Sequence, residues 1–212
     1  MDESTSTVRL SGAARRFGHV CAFFHNPEEE YRVLLPLAKE GFERGEKVFL
    51  IVDPAHRPER MRRLEEVGIS PAAARRTGQV EIRAWEDAYL RGGGFDQEAM
   101  ITLLEETLCG AKADGFGQTQ IWANMEWALG AFSGVEDLVE YETRVNHLLP
   151  KYDDLVVCAY DLTKFGAGVM MDVLRTHPLV IIGGFLHENP FFVPPDEFLR
   201  ELRARDGSTP QG

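Results

Sequence analysis

The chain lacks a phosphate loop. Its first strong apolar run, residues 20–24, leads through His25, Asn26 and Pro27 into a helical stretch, with no glycine in the turn and no lysine to close the site. A turn that wraps phosphates with backbone N–H groups needs both. Basic excess is missing too: 23 Lys and Arg stand against 34 Asp and Glu, a formal net charge of -11. That balance disfavours direct contact with nucleic acid or a membrane, since both are held by basic faces. No apolar run reaches the roughly 18 residues of a membrane span. The opening MDESTSTVRLSGAARRFG has no signal-peptide core, so the expected location is cytoplasmic. Cysteine is scarce. Cys21, Cys109 and Cys158 form no CxxC pair and are odd in number, which argues against a zinc knuckle or disulfide framework and for reduced, buried thiols. No Gly-x-Ser-x-Gly elbow or Cys/His nucleophile context is present, so a hydrolase finds no support.

What is present is alternation. The 212 residues, 44% hydrophobic and 27% charged, suit one globular domain. It is expected over 18–203, between a flexible lead at 1–17 and a disordered tail at 204–212. Apolar runs at 20–24, 47–52, 80–84, 120–125, 155–160 and 179–185 read as strands. Helical patterns at 28–44, 57–67, 96–113, 135–149 and 168–175 separate them, with Asn26 and Asp96 as N-caps and Pro36 expected to kink the first. Glu28, Glu29 and Glu30 place negative charge at the first helix's N-terminus, where the dipole would otherwise draw an anion. Strands apolar on both faces, alternating with helices, imply an α/β fold: a three-layer, doubly wound, mainly parallel sheet. A rigid segment at 189–195 precedes a short last helix, expected through Leu202 and packed on the domain edge.

In such sheets ligands sit beyond the carboxyl ends of the strands. That rule selects His25, Asn26, Asp53, Trp85, Tyr89, Asn124, Glu126, Trp127, Tyr160, Asp161 and His187 as candidate ligand-binding residues. Trp85, Tyr89, Trp127 and Phe185 could wall an apolar pocket, with core packing as the alternative for each. Tyr160 and Asp161 could offer a hydroxyl and a carboxylate to a polar ligand, or Asp161 could cap the next turn. His25, His56 and His187 could meet with Asp53, Glu126 or Glu188 around a metal, but no local ligand spacing supports this, and neither a metal nor another cofactor is expected. His177, before Pro178, reads as structural. Arg57, Arg60, Arg62 and Arg63 are the one exposed basic cluster expected, and the glycines at 92–94 read as a flexible connector rather than a phosphate loop.

Several segments together resemble the MEDS domain, the DcmR-type sensory domain of methanogen and methylotroph regulators. They are His19-Val-Cys, Asn26-Pro-Glu-Glu-Glu, Gly41-Phe-Glu-Arg-Gly-Glu-Lys, Asn124-Met-Glu-Trp, Glu140-Tyr-Glu, Cys158-Ala-Tyr-Asp, Thr176-His-Pro and Glu188-Asn-Pro-Phe-Phe-Val-Pro-Pro. The resemblance implies a RecA-like, P-loop NTPase-type fold with a degenerate phosphate loop, and a role in sensing a small organic molecule such as a hydrocarbon derivative. It further implies a non-enzymatic domain within transcriptional or signal-transduction regulation. The chain shows no helix-turn-helix or kinase segment, so its output is expected to pass through a protein partner or a second copy. Two other readings stay open: a residual nucleotide- or metal-dependent enzyme using Glu126 and Asp161, and a protein-interaction module docking through its acidic surface and the NPFFVPP segment.

Overall fold

The computed structural model describes residues 18–206. The expected flexible lead and residues 207–212 lie outside that range. The elements are β1 (His19–Phe24), α1 (Pro27–Glu43), β2 (Lys47–Val52), α2 (Arg57–Glu66), α3 (Pro71–Thr77), β3 (Val80–Ala84), α4 (Gln97–Ala113), β4 (Thr119–Asn124), α5 (Leu138–Leu148), β5 (Leu155–Asp161), α6 (Ala167–Thr176), β6 (Leu179–Ile182), β7 (Phe185–Glu188) and α7 (Pro195–Asp206). The strands form one seven-stranded sheet in the order β3-β2-β4-β5-β1-β6-β7. All neighbours are parallel except the β6/β7 pair.

Period-two alternation sorts the core into two layers. Val20, Ala22, Phe24, Leu50, Trp122 and Val157 face α1, α2 and α3, whereas Cys21, Phe23, Phe49, Ile121, Cys158 and Tyr160 face α4, α5 and α6. Helices cover both faces, so the central strands are buried on both sides and lose polar alternation, as parallel sheets require. In α4 the expected stripe of Met100, Leu103, Leu104, Thr107, Leu108 and Ala111 is buried as a set.

Three expectations about the chain path are corrected. The run at 179–185 is not one strand: Gly183 and Gly184 both take positive φ, 60° and 82°, and reverse the chain into a hairpin. Consecutive positive φ values are the hairpin geometry that Gly-Gly permits without a Cβ penalty. A short helix, α3, goes unread in the sequence; Ser70 caps its start and Gly78 closes it in the left-handed region. The last helix runs to Asp206, past Leu202, into the segment expected to be a disordered tail. α1 continues through Pro36. The segment before α7 is pinned as expected, with the Asn189 side chain donating to the Leu174 and His177 carbonyls and the Val193 N–H to the Arg175 carbonyl.

Candidate functional site

At the carboxyl end of β1 the anion-binding position is filled from within. Asn26 Oδ1 accepts the Glu29 N–H at 2.9 Å, and the Glu29 carboxylate accepts the His25 N–H at 2.8 Å, a reciprocal cap. Only Glu29 of the three glutamates serves the helix end this way. Glu28 pairs with Arg63, and Glu30 turns under α1 to buried Arg60, 2.9 Å away. The arginine cluster is therefore not an exposed basic face: Arg60 is 3% exposed, and Arg62 and Arg63 are tied to Glu59 and Glu66. Asp53 caps the 3-10 turn that follows β2, accepting the Ala55 N–H at 2.8 Å.

Beyond β3 and β4 the candidates meet in pairs. The Trp85 indole N–H donates to the Asn124 carbonyl at 3.1 Å. Tyr89 stacks on Trp127 with ring centroids 4.6 Å apart, and Phe95 packs against Trp127 at 4.5 Å. Tyr89 and Trp127 are thus packed against each other inside the core, while Phe185 stands exposed on the edge strand β7 and joins no pocket with them. Two buried polar atoms here, Asn124 Oδ1 and Trp127 Nε1, have no hydrogen-bond partner among the described residues. Leu129, Phe132 and Leu162, on the loops after β4 and β5, are exposed apolar side chains.

Glu126 and Asp161 do come together, through a residue the sequence reading passed over. Lys164 Nζ lies 2.8 Å from Glu126 Oε2 and 3.5 Å from Asp161 Oδ2. Burial alone would lower the lysine's pKa, but the hydrogen bond and charge of Glu126, with Asp161 behind it, outweigh this and raise it. Asp161 also caps its own turn, accepting from the Thr163 N–H and hydroxyl. A groove of about 770 Å³ runs along β3, lined by Arg57, Arg75, Arg83 and Asp87 among others, and none of the candidate ligand residues lines it.

Two candidates lie elsewhere. His187 pairs with Val180 in the antiparallel hairpin, which carries it back toward the amino end of the sheet and leaves it exposed. Tyr160 turns inward, its hydroxyl donating to Glu142 Oε1 at 2.8 Å. Among the described residues the His, Cys and carboxylate groups that converge are not the expected surface set but His19, Glu142, Cys158 and His177, all buried. His19 Nε2 is 3.0 Å from Glu142 Oε2, and His177 Nε2 is 3.5 Å from the same atom. Cys158 Sγ lies 3.5 Å from His19 Nε2 and 3.6 Å from Glu142 Oε2. The two imidazole rings lie against each other, tilted by 36°, with centroids 3.9 Å apart.

The electrostatics of this centre pull against one another. Burial works against the Glu142 charge, yet the neighbouring His177 and His19 hold its carboxyl below the ordinary range. The same burial, with His177 alongside, lowers His19 from 6.5 to about 4. The carboxylate needs a positive partner that the imidazoles, out of water, resist becoming. Burial also pushes the Cys158 thiol and the Tyr160 phenol up. Cys158 and Cys21 are buried as expected, but Cys109 is exposed.

Comparison with known proteins agrees with this architecture. The family model described as MEDS, the methanogen/methylotroph DcmR sensory domain, matches residues 18–178. The transcriptional repressor DcmR of Methylorubrum extorquens is 26% identical over 160 residues, covering 75% of this chain and 57% of the repressor. The chain thus spans little more than half the length of that relative. A crystal structure of the KaiC-like protein PH0186 of Pyrococcus horikoshii superimposes with a TM-score of 0.54 at 12% identity, over 77% of this chain and 69% of that one. That likeness establishes the RecA-type fold.

Proposed function

We propose, since this chain belongs to the MEDS family, the methanogen/methylotroph DcmR sensory domain, that it takes a small organic molecule beyond the carboxyl ends of β4 and β5 without turning it over. The observation that carries this is the pair of unpartnered buried atoms there, the Asn124 amide oxygen and the Trp127 indole N–H. Leaving such groups unsatisfied costs about 1–3 kcal/mol each. A molecule with an apolar body and one donor and one acceptor would satisfy both while lying against Tyr89, Phe95 and Trp127. To enter, it must part the stacked rings; the exposed apolar loop residues Leu129 and Phe132 supply the movable wall. The opened loop is then the element that a partner protein or a second copy in the cytoplasm reads.

Nucleotide turnover fits less well. The β1–α1 turn has spent its N–H groups on Asn26 and Glu29, and the Lys164 ammonium lies between the two carboxylates that a nucleotide's Mg²⁺ would need. A thermal-shift screen separates the two readings. Small organics are expected to raise the melting temperature, and Trp127→Phe to abolish the rise. A Mg²⁺-dependent shift with ATP or GTP, lost in Glu126→Gln, would overturn the proposal.

A further inference from the structure

His19, Glu142, Cys158 and His177 come from four separate segments: the start of β1, the middle of α5, β5, and the residue pair leading into β6. One ligating atom from each lies within 4.8 Å of all the others, and each residue is 2% exposed or less. The decisive feature is what the outer nitrogen of each imidazole faces. His177 Nδ1 lies 2.8 Å from the Val173 carbonyl and 2.7 Å from the Thr176 hydroxyl, which itself donates to that carbonyl; a proton on Nδ1 satisfies the carbonyl and leaves Nε2 a lone pair for a ligand. That Nε2 is buried, has no hydrogen-bond partner among the described residues, and faces the Glu142 carboxylate. At His19, Nδ1 faces the amide oxygen of Asn146 at 3.3 Å, and the amide NH₂ of Asn146 is committed to the carbonyls of Thr176, Glu142 and Thr143. Its proton is therefore also on the outside. Two imidazoles, a thiol and a carboxylate thus point at one another in a dry interior with no fixed cation among them, a donor set that a metal ion would neutralise.

We propose that this centre is a structural site for a first-row divalent transition metal of the zinc class, ligated by His19 Nε2, His177 Nε2, a Glu142 oxygen and the Cys158 thiolate. Tetrahedral zinc, with bonds of about 2.0–2.3 Å, separates its ligand atoms by roughly 3.3–3.7 Å. Of the six ligand–ligand spacings, 3.5, 3.6 and 3.5 Å fall in that range, the 3.0 Å between His19 and Glu142 needs a shift of a few tenths, and those from His177 to His19 and Cys158 lie within 4.8 Å. Three of the four ligands are oriented from behind, His19 by Asn146, His177 by Val173, and Glu142 by the Tyr160 hydroxyl. Nitrogen, oxygen and sulfur together suit zinc or cobalt rather than magnesium or calcium. Four protein ligands leave no open position, so the ion ties β1, β5 and β6 to α5 instead of acting on a substrate. As it binds, the Cys158 S–H bond breaks, the sulfur–metal bond forms and the proton leaves to solvent.

The test begins with the full chain purified from zinc-supplemented cells and passed through gel filtration. A stoichiometric ion is expected by mass spectrometry, with two imidazoles and one sulfur around it by X-ray absorption. Protein unfolded with chelator and refolded in cobalt should develop a thiolate-to-cobalt charge-transfer band and intense tetrahedral visible bands. Cys109→Ser should keep them and Cys158→Ser should lose the charge-transfer band. The wild-type measurements decide the matter should Cys158→Ser not fold. Refolded protein with a native circular dichroism spectrum that takes up no ion would overturn the proposal and leave a proton as the buried counter-charge. A charge-transfer band that survives Cys158→Ser would overturn it too.

Discussion

Glu30 and Glu142 are both carboxylates buried beneath a helix, on opposite faces of the same sheet, and they are neutralised in opposite ways. One oxygen of Glu30 accepts from Arg60 at 2.9 Å and from the Trp122 indole at 2.8 Å. The guanidinium lies over the Trp122 ring at 3.7 Å and the Tyr31 ring at 4.7 Å. Its charge is permanent, so this centre has one state. Around Glu142 stand two imidazoles, a thiol and a phenol, none of them a fixed cation. The first centre is scaffold, joining α1 and α2 to the sheet. The second has everything a metal needs and no permanent positive charge of its own.

Removing one member of each centre should expose the difference. Arg60→Leu leaves Glu30 buried and unpaired, which costs about 3–5 kcal/mol; urea denaturation should show it, and Glu30→Gln in the same chain should restore most of the loss. A cost near zero would mean that the pair is dispensable. Chelation should act on the other face alone. Stripping the ion is expected to cost about 3 kcal/mol, the linkage for a free ion near a hundred times its dissociation constant. The drop in melting temperature should persist in Arg60→Leu and vanish in Glu142→Gln.

Trp122→Phe removes one donor to the Glu30 charge and should cost about 2 kcal/mol, with no change in metal content. The smallest effect belongs to the β1–α1 turn, where Asn26→Ala loses the cap for about 1 kcal/mol. Denaturation midpoints measure both. A larger loss for Asn26→Ala than for Trp122→Phe would reverse the ranking of cap and core.

The fold was readable because the central parallel strands are largely apolar runs and the two longest helices, α1 and α4, each carry a cap and a stripe. The hairpin was not, since Ile181, Ile182 and Phe185 keep the apolar pattern going across Gly183 and Gly184. At the site the reading was divided. Glu126 and Asp161 were correctly placed at neighbouring strand ends, but Lys164, which joins them, follows a turn and carries no periodic signal. His19, Cys158 and His177, and Glu142 on its helix, each lay inside a motif quoted for the family resemblance. None was read as part of one centre, because their sequence separations, 16 residues at the least and 139 between His19 and Cys158, exceed any local ligand spacing.

The sequence by itself determined what local chemistry can encode: alternating strands and capped helices, an N-cap at Asn26 in place of a phosphate loop, and an acidic surface. Only the tertiary structure decided which glutamate met an arginine and which met histidines. Strand order β5-β1-β6 brings His19, Cys158 and His177 side by side, and α5 lays Glu142 across them. Convergence of that kind depends on how elements pack in space, and the spacing of residues along the chain does not carry it.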